Sequence, residues 1–183
     1  MEATDVFVPR ERTFSLLTGS PKHADYILPF FGTLASGVAA VGLGLARAAI
    51  DTFVAMAKTK TPPGSKRTLT NRELVQMDVA RAEAKLRGAR AFLYEAIEEA
   101  TAKPSLLTRA RLRLAASNAA EESAAVVGIA YKAGGGSAIY SKSPLQRHFR
   151  DANVVTHHIM VNDMATALAG KVMLGVDADT TTL

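Results

Sequence analysis

The sequence predicts an all-α fold, an antiparallel up-and-down four-helix bundle, and three observations carry that prediction. Alanine, leucine, valine and glycine supply most of the apolar content, with no Trp and only seven Phe and four Tyr in 183 residues. Small side chains let helices approach closely, which favours a bundle over a β-sandwich. Apolar residues recur every seven positions at Val79, Leu86, Leu93 and Ala100, with Ala82, Ala89 and Ala96 between them. That 3.5-residue period is the seam of a bundle. The helical segments are also joined by short connections marked with proline and glycine, as antiparallel neighbours require. A chain of this length buries roughly two-thirds of its unfolded surface, so its core needs no staples.

The elements follow in order. Residues 1–22 read as an extended arm: Val6 and Val8 alternate, Pro9 ends the run, and a short strand there has no partner strand elsewhere. Residues 23–175 form the bundle. The first helix runs from about Asp25 to Ala57 and stops before the Thr59–Ser65 linker, where Pro62, Pro63 and Gly64 exclude helix. Gly32, Ser36, Ala40 and Gly44 stand four apart in it, marking a close helix–helix contact. The second helix opens at Thr70 and Glu73, the spacing of a capping box. Pro104 separates it from a third, which starts near Ser105 and ends before Gly134-Gly135-Gly136. The fourth starts at Ser143-Pro144, with proline in its preferred first-turn position and Gln146 completing a second box. It runs through Val155, breaks near Asn162-Asp163 and resumes to about Leu174. Residues 176–183 lack periodicity and read as a frayed tail.

Composition excludes several functions. The lack of cysteine removes disulfides, Cys-bound zinc, iron–sulfur clusters and thiol nucleophiles, and fits a cytoplasmic protein. The net charge of +5 is dispersed over Lys58–Lys60, Lys66-Arg67 and the Arg109, Arg111, Arg113 row, with no aromatic residues interleaved. Those read as solvated helix faces, not a nucleic-acid surface. Glu2, Asp5 and Glu11 interrupt any signal peptide. Tyr26–Ala46 is uncharged and long enough to span a bilayer, but Pro29, four glycines, Thr33 and Ser36 suit the buried helix of a soluble bundle better.

Gly135-Gly136-Ser137-Ala138-Ile139-Tyr140, followed by Pro144 to Phe149 and Arg150-Asp151-Ala152, resembles a signature of the acyl-CoA dehydrogenase superfamily. There a Gly-Gly-x-Gly-Tyr turn precedes an Arg-Asp-Ala helix in the C-terminal helical domain. The Ser-Ala-Ile-Tyr form of the turn is similar to that of the flavin-dependent hydroxylases sharing this fold. Val6 to Thr13 also resembles the exit from that family's central β-domain. The resemblance implies the C-terminal domain of a two-component monooxygenase using reduced flavin, FMN or FAD, and oxygen. It implies a homo-oligomer, dimer or tetramer, a separate flavin reductase, a small hydrophobic or aromatic substrate, and neither nucleic acid nor membrane as partner. It also implies a longer parent enzyme, with this chain inactive and a weak flavin binder alone.

The residues read as follows. Gly135, Gly136 and Ser137 are a helix cap and turn, and under the resemblance they let backbone approach a flavin. Arg150 and Asp151 are adjacent, point to different sides of a helix, and suit packing better than chemistry. Eight residues after Asp151, where many acyl-CoA dehydrogenases carry a catalytic glutamate, stands Ile159, which cannot take a proton. Other members of the superfamily place that base on another helix. His158 occupies the neighbouring place, where the resemblance implies a histidine acting in oxygen chemistry; imidazole titrates near neutrality and both donates and accepts. The alternative is that His157 and His158 are a partly buried pair bonded to backbone. Adjacent histidines face different ways, which argues against a metal site. Departures from the family are a missing Arg-x-x-Phe-Gly motif, replaced by the linker around Lys60 and Lys66-Arg67, and Lys132 where a glutamine is usual. Both suit a loosely held flavin. Two other functions stay open: an acyl-CoA dehydrogenase piece with its base elsewhere, and a non-catalytic helical oligomerisation module.

Overall fold

The computed structural model describes residues 4–13, 15 and 28–183. Among the described residues five α-helices form the fold: α1 (Phe30–Thr59), α2 (Glu73–Ala102), α3 (Leu106–Gly134), α4 (Pro144–Thr156) and α5 (Asp163–Leu174). The expected first-helix start at Asp25, Tyr26 and the arm's boundary at residue 22 lie outside the described residues. Thr4–Pro9 forms no strand and leads into a single 3-10 turn, Arg10–Arg12. Val6 and Phe7 are 66% and 86% exposed, so residues 4–9 pack on little.

α3 is the axis. It packs against the other four helices, while α2 lies on one side and α4 with α5 on the other, without contact between those sides. The fourth helix of the bundle is thus built in two pieces. Its break falls where Asn162 caps α5, accepting a hydrogen bond from the Met164 N–H at 3.2 Å. On α2 the seven-residue seam is buried as its period requires: Ala82, Leu86, Ala89, Leu93, Ala96 and Ala100 all face the core, and Val79 is half-buried. Each of these leucines contributes about 1.5–3 kcal/mol by leaving water.

Both expected capping boxes are absent. α2 begins one residue after Arg72, which offers no side-chain cap, because Thr70 is held in a 3-10 turn, Leu69–Asn71. Ser143 likewise makes no cap bond on α4, although Pro144 takes its expected first-turn place. The box that forms is at α3, where Ser105 and Thr108 satisfy each other's backbone N–H at 3.1 and 2.9 Å.

The close contact of α1 also departs from expectation. Gly32 belongs to it, since a Cβ there would lie 2.6 Å from Leu112 Cδ2. Ala40 and Gly44 are exposed, however, and the buried row is Gly32, Ala35, Ala39, Gly42, Ala46 and Ala49, continuing to Phe53. Up to Ala46 α1 carries no charge, so its pattern could not choose the face; α3 does. By length and composition α1 would also cross a membrane, and its most apolar window is only 33% buried.

The tail is not frayed. Leu183 is 2% exposed and sits in a nest of Ala110 and Ala169. Arg109 donates from Nε (3.1 Å) and Nη2 (2.5 Å) to the Leu183 main-chain oxygen, and Arg113 Nη1 donates to the Thr182 carbonyl. Arg113 is itself 3% exposed, and burial lowers its pKa from the usual guanidinium value. The segment is anchored through side chains that local periodicity does not reveal.

Candidate functional site

The turn after α3 is built by close packing. A Cβ on Gly134 would meet Leu145 Cδ1 at 3.0 Å and Ala138 Cβ at 3.1 Å, so α3 and α4 converge there without side-chain bulk. Lys60, from the linker after α1, donates from Nζ to the Gly134 carbonyl at 2.6 Å and pins the turn. Gly135 then adopts φ 58°, ψ −152°, a region that essentially only glycine enters. The chain continues through a 3-10 turn, Gly135–Ser137, closed by the Ala138 N–H on the Gly135 carbonyl at 2.9 Å. Gly135, Gly136 and Ser137 are exposed, and nothing lies within 4 Å of where a Cβ of either glycine would be. This is open backbone, accessible to a ligand, with Ile139 and Tyr140 each 59% exposed beside it.

His158 lies in the junction between α4 and α5. Its main-chain carbonyl accepts from the N–H groups of Val161 (2.9 Å) and Asn162 (3.1 Å), and its Nδ1 accepts from the Met160 N–H at 3.2 Å. One residue therefore gathers three successive amides of the junction. His157 and His158 are both exposed, not partly buried, but the expected bond to backbone is present for His158. Ile159, where the resemblance places a base in other members, is 70% exposed, next to Met164 at 74%. Val161 turns inward into the core shared by α1, α2 and α3.

The structure does not bring these two groups together. The glycine turn precedes α4 and His158 follows it, and thirteen helical residues separate their ends by about 20 Å. Between them Asp151 accepts ion-pair contacts from Arg147 Nε (3.6 Å) and from its neighbour Arg150 Nε (3.4 Å). Arg150 and Asp151 thus do meet, along the helix surface, and they do not fix α4 to another helix.

Three contributors were not singled out in the sequence. Lys60 acts over 74 residues, beyond any local pattern. Phe149 stacks on Tyr131 of α3, with ring centroids 4.5 Å apart. His148 carries a buried Nδ1 with no hydrogen-bond partner. Its signal was readable: it falls on the inward stripe of α4 with Leu145, Ala152 and Val155. Away from this region, a groove of about 400 Å³ between α2 and α3 is bordered by Ala84, Lys85, Gly88, Ala89, Asn118 and Glu122, and includes none of the candidate site residues. Among the described residues no group of three His, Asp or Glu side chains is placed to hold a metal.

Comparison with known proteins bears on this geometry. The family model described as acyl-CoA dehydrogenase, C-terminal domain, matches residues 36–163. An indole-3-acetate monooxygenase of Pseudomonas putida is 37% identical over 181 residues, covering 93% of this chain and 46% of that protein. The chain spans under half the length of the curated relatives it matches. Among solved structures, a 3-HSA hydroxylase from Rhodococcus sp. RHA1 superimposes with a TM-score of 0.76 at 18% identity, over 85% of this chain and 42% of that one. XiaF from Streptomyces sp., in complex with FADH2 and glycerol, gives 0.74 at 24% identity, over 82% and 40%.

Proposed function

This chain belongs to the acyl-CoA dehydrogenase C-terminal domain family, and from that premise we propose that it is the helical domain of a flavin-dependent monooxygenase, forming one wall of the flavin site. The observation that carries the reading is the pair of open elements at the two ends of α4. The glycine turn offers bare, outward-facing backbone, and the junction offers an exposed imidazole on a hydrogen-bonded loop. A single flavin ring could not touch both across about 20 Å of helix. An extended dinucleotide would reach both, its flavin ring near His158 and its adenine end toward the turn.

Reduced flavin, when bound, supplies the electrons that activate dioxygen for insertion of one oxygen atom into an organic substrate. The protein's own part is to position and to exclude water. Gly135–Ser137 presents backbone without Cβ bulk, and His158 offers a ring nitrogen as proton donor or hydrogen-bond partner. Ile159 and Met164, both largely exposed, supply apolar surface in the same junction and the start of α5. With Ile159 in the place of a carboxylate, removal of a substrate α-proton has no base there, which favours oxygen chemistry over thioester dehydrogenation. The monooxygenase relative and the FADH2-bound neighbour support the same choice.

The remaining half of the site, the substrate and a flavin reductase belong to this proposal, as does a cytoplasmic homo-oligomer. The outer ridge of α1, with Phe30, Leu34 and Val41 between 40% and 58% exposed, supports a further surface covering it. Titration of the chain with reduced and oxidised FMN and FAD, followed by fluorescence, tests the reading. Saturable binding weakened by His158→Ala is expected; a folded chain that binds none of them would overturn the flavin-wall role.

A further inference from the structure

We infer that the two ring nitrogens of His158 have separate, fixed duties: Nδ1 is reserved as the acceptor for the Met160 N–H, and Nε2 carries the proton and is presented outward as a hydrogen-bond donor. This rests on the reading that the junction faces the flavin.

The Met160 amide is a donor only, and it points at Nδ1 from 3.2 Å. A neutral imidazole holds one proton, and a proton on Nδ1 would set donor against donor at that contact. The Nε2–H tautomer is the form the contact selects. The contact is local, between residues two apart, and it is reinforced from the other side. The same residue's carbonyl holds the Val161 and Asn162 N–H groups at 2.9 and 3.1 Å, and Val161 is 1% exposed in the core. The ring is therefore tethered through its own junction to buried structure, although it is itself exposed. Met160 acts here as a positioning residue through its backbone, whatever its side chain.

The division of duties matters for the chemistry. An exposed, free imidazole samples both tautomers and many orientations. A ring held at Nδ1 offers its partner one nitrogen, in one protonation state, from one direction. It also means that His158→Ala removes two things at once, a loop acceptor and an outward donor.

Two substitutions separate them. Asn places an acceptor near Nδ1 and nothing at Nε2, so H158N keeps the junction and loses the donor. Gln reaches the Nε2 position with its amide, so H158Q keeps a donor and loses the loop acceptor. The first measurement is 15N NMR of the neutral imidazole in the whole chain. A spectrum dominated by the Nε2–H tautomer is expected; a dominant Nδ1–H form or an equal mixture overturns the inference whatever the flavin data show. The second is binding of reduced FMN and FAD. H158N is expected to weaken it roughly tenfold with Met160 amide exchange unchanged, a hydrogen bond to a charged partner being at stake. H158Q is expected to stay within about threefold while that amide exchanges faster. Equal effects of the two substitutions on binding overturn the division of duties. If the wild-type chain binds no flavin, the flavin-wall reading fails, and the NMR result alone still decides the tautomer.

Discussion

The face along which α1 packs on α3 is a finished surface, and the two ends of α4 are not. Along α1, Gly32, Ala35, Ala39, Gly42 and Ala46 are buried where the helix packs on α3, and Phe53 continues the row into the core at 2% exposure. Nothing there is left for a ligand. At the ends of α4, by contrast, Ile139, Tyr140, Val154, Ile159 and Met164 stand 59–74% exposed beside turns closed by their own backbone hydrogen bonds. A group of large apolar side chains left in water, as at these two ends and along the outer ridge of α1, marks surface that expects a partner from outside. Stability and recognition are thus separated in space, and substitutions should sort accordingly.

The largest effect is expected at the seam. Phe53→Ala should cost about 3–5 kcal/mol, read from the denaturant midpoint, whereas Ile159→Ala should stay within about 0.5 kcal/mol. Comparable losses at the two positions would erase the distinction. Next comes the tail, which extends the finished region to a place the periodicity left open. Leu183→Ala empties the nest between Ala110 and Ala169 and should cost about 2 kcal/mol, with faster amide exchange in α5 before the rest of the molecule. A wild-type-like exchange pattern would mean that the tail does not hold α5.

At the open region, Gly135→Ala forces a Cβ into a backbone conformation that strains it, for on the order of 1–2 kcal/mol. Because the space around that Cβ is empty, the loss should be conformational and local, visible as altered exchange at residues 134–138 and weaker flavin binding. The smallest effect is electrostatic. A hydrogen bond from Arg47 at 2.6 Å, helped by Arg87, holds the Glu83 carboxyl below its ordinary pKa. Burial opposes the charge on Arg47, but Glu83 and Asp51 outweigh it and raise that guanidinium's pKa. A carboxyl lowered on folding stabilises the protein above its unfolded pKa and loses that contribution as pH falls through the folded value. Glu83→Gln should therefore cost up to about 1 kcal/mol at neutral pH and nothing at the acid end, below the ordinary glutamate range. An equal cost at both ends would assign the effect to packing.

How much of this was legible follows the same division. The α2 seam and the helix order could be read because each rests on local period and on prolines and glycines that end elements. The buried face of α1 could not, since Gly32-Ser36-Ala40-Gly44 and Gly32-Ala35-Ala39-Gly42 are equally small rows and only α3 distinguishes them. The capping boxes at Thr70 and Ser143 failed because spacing is necessary and not sufficient: Thr70 was already committed to a 3-10 turn. The tail's anchorage depends on Arg109 and Arg113, some 70 residues away in sequence. Of the candidate site, the glycine turn and His158 were found through their resemblance to a family motif. Lys60 and the Met160 contact at Nδ1 needed three dimensions.

On this reading the ends of α4, and not the packed face between α1 and α3, form a flavin-binding wall. Hydrogen–deuterium exchange of the chain with and without saturating reduced flavin tests it most directly. Protection confined to residues 134–140 and 156–164 is predicted. Protection in the groove between α2 and α3, or none anywhere in a chain that remains folded, would contradict it.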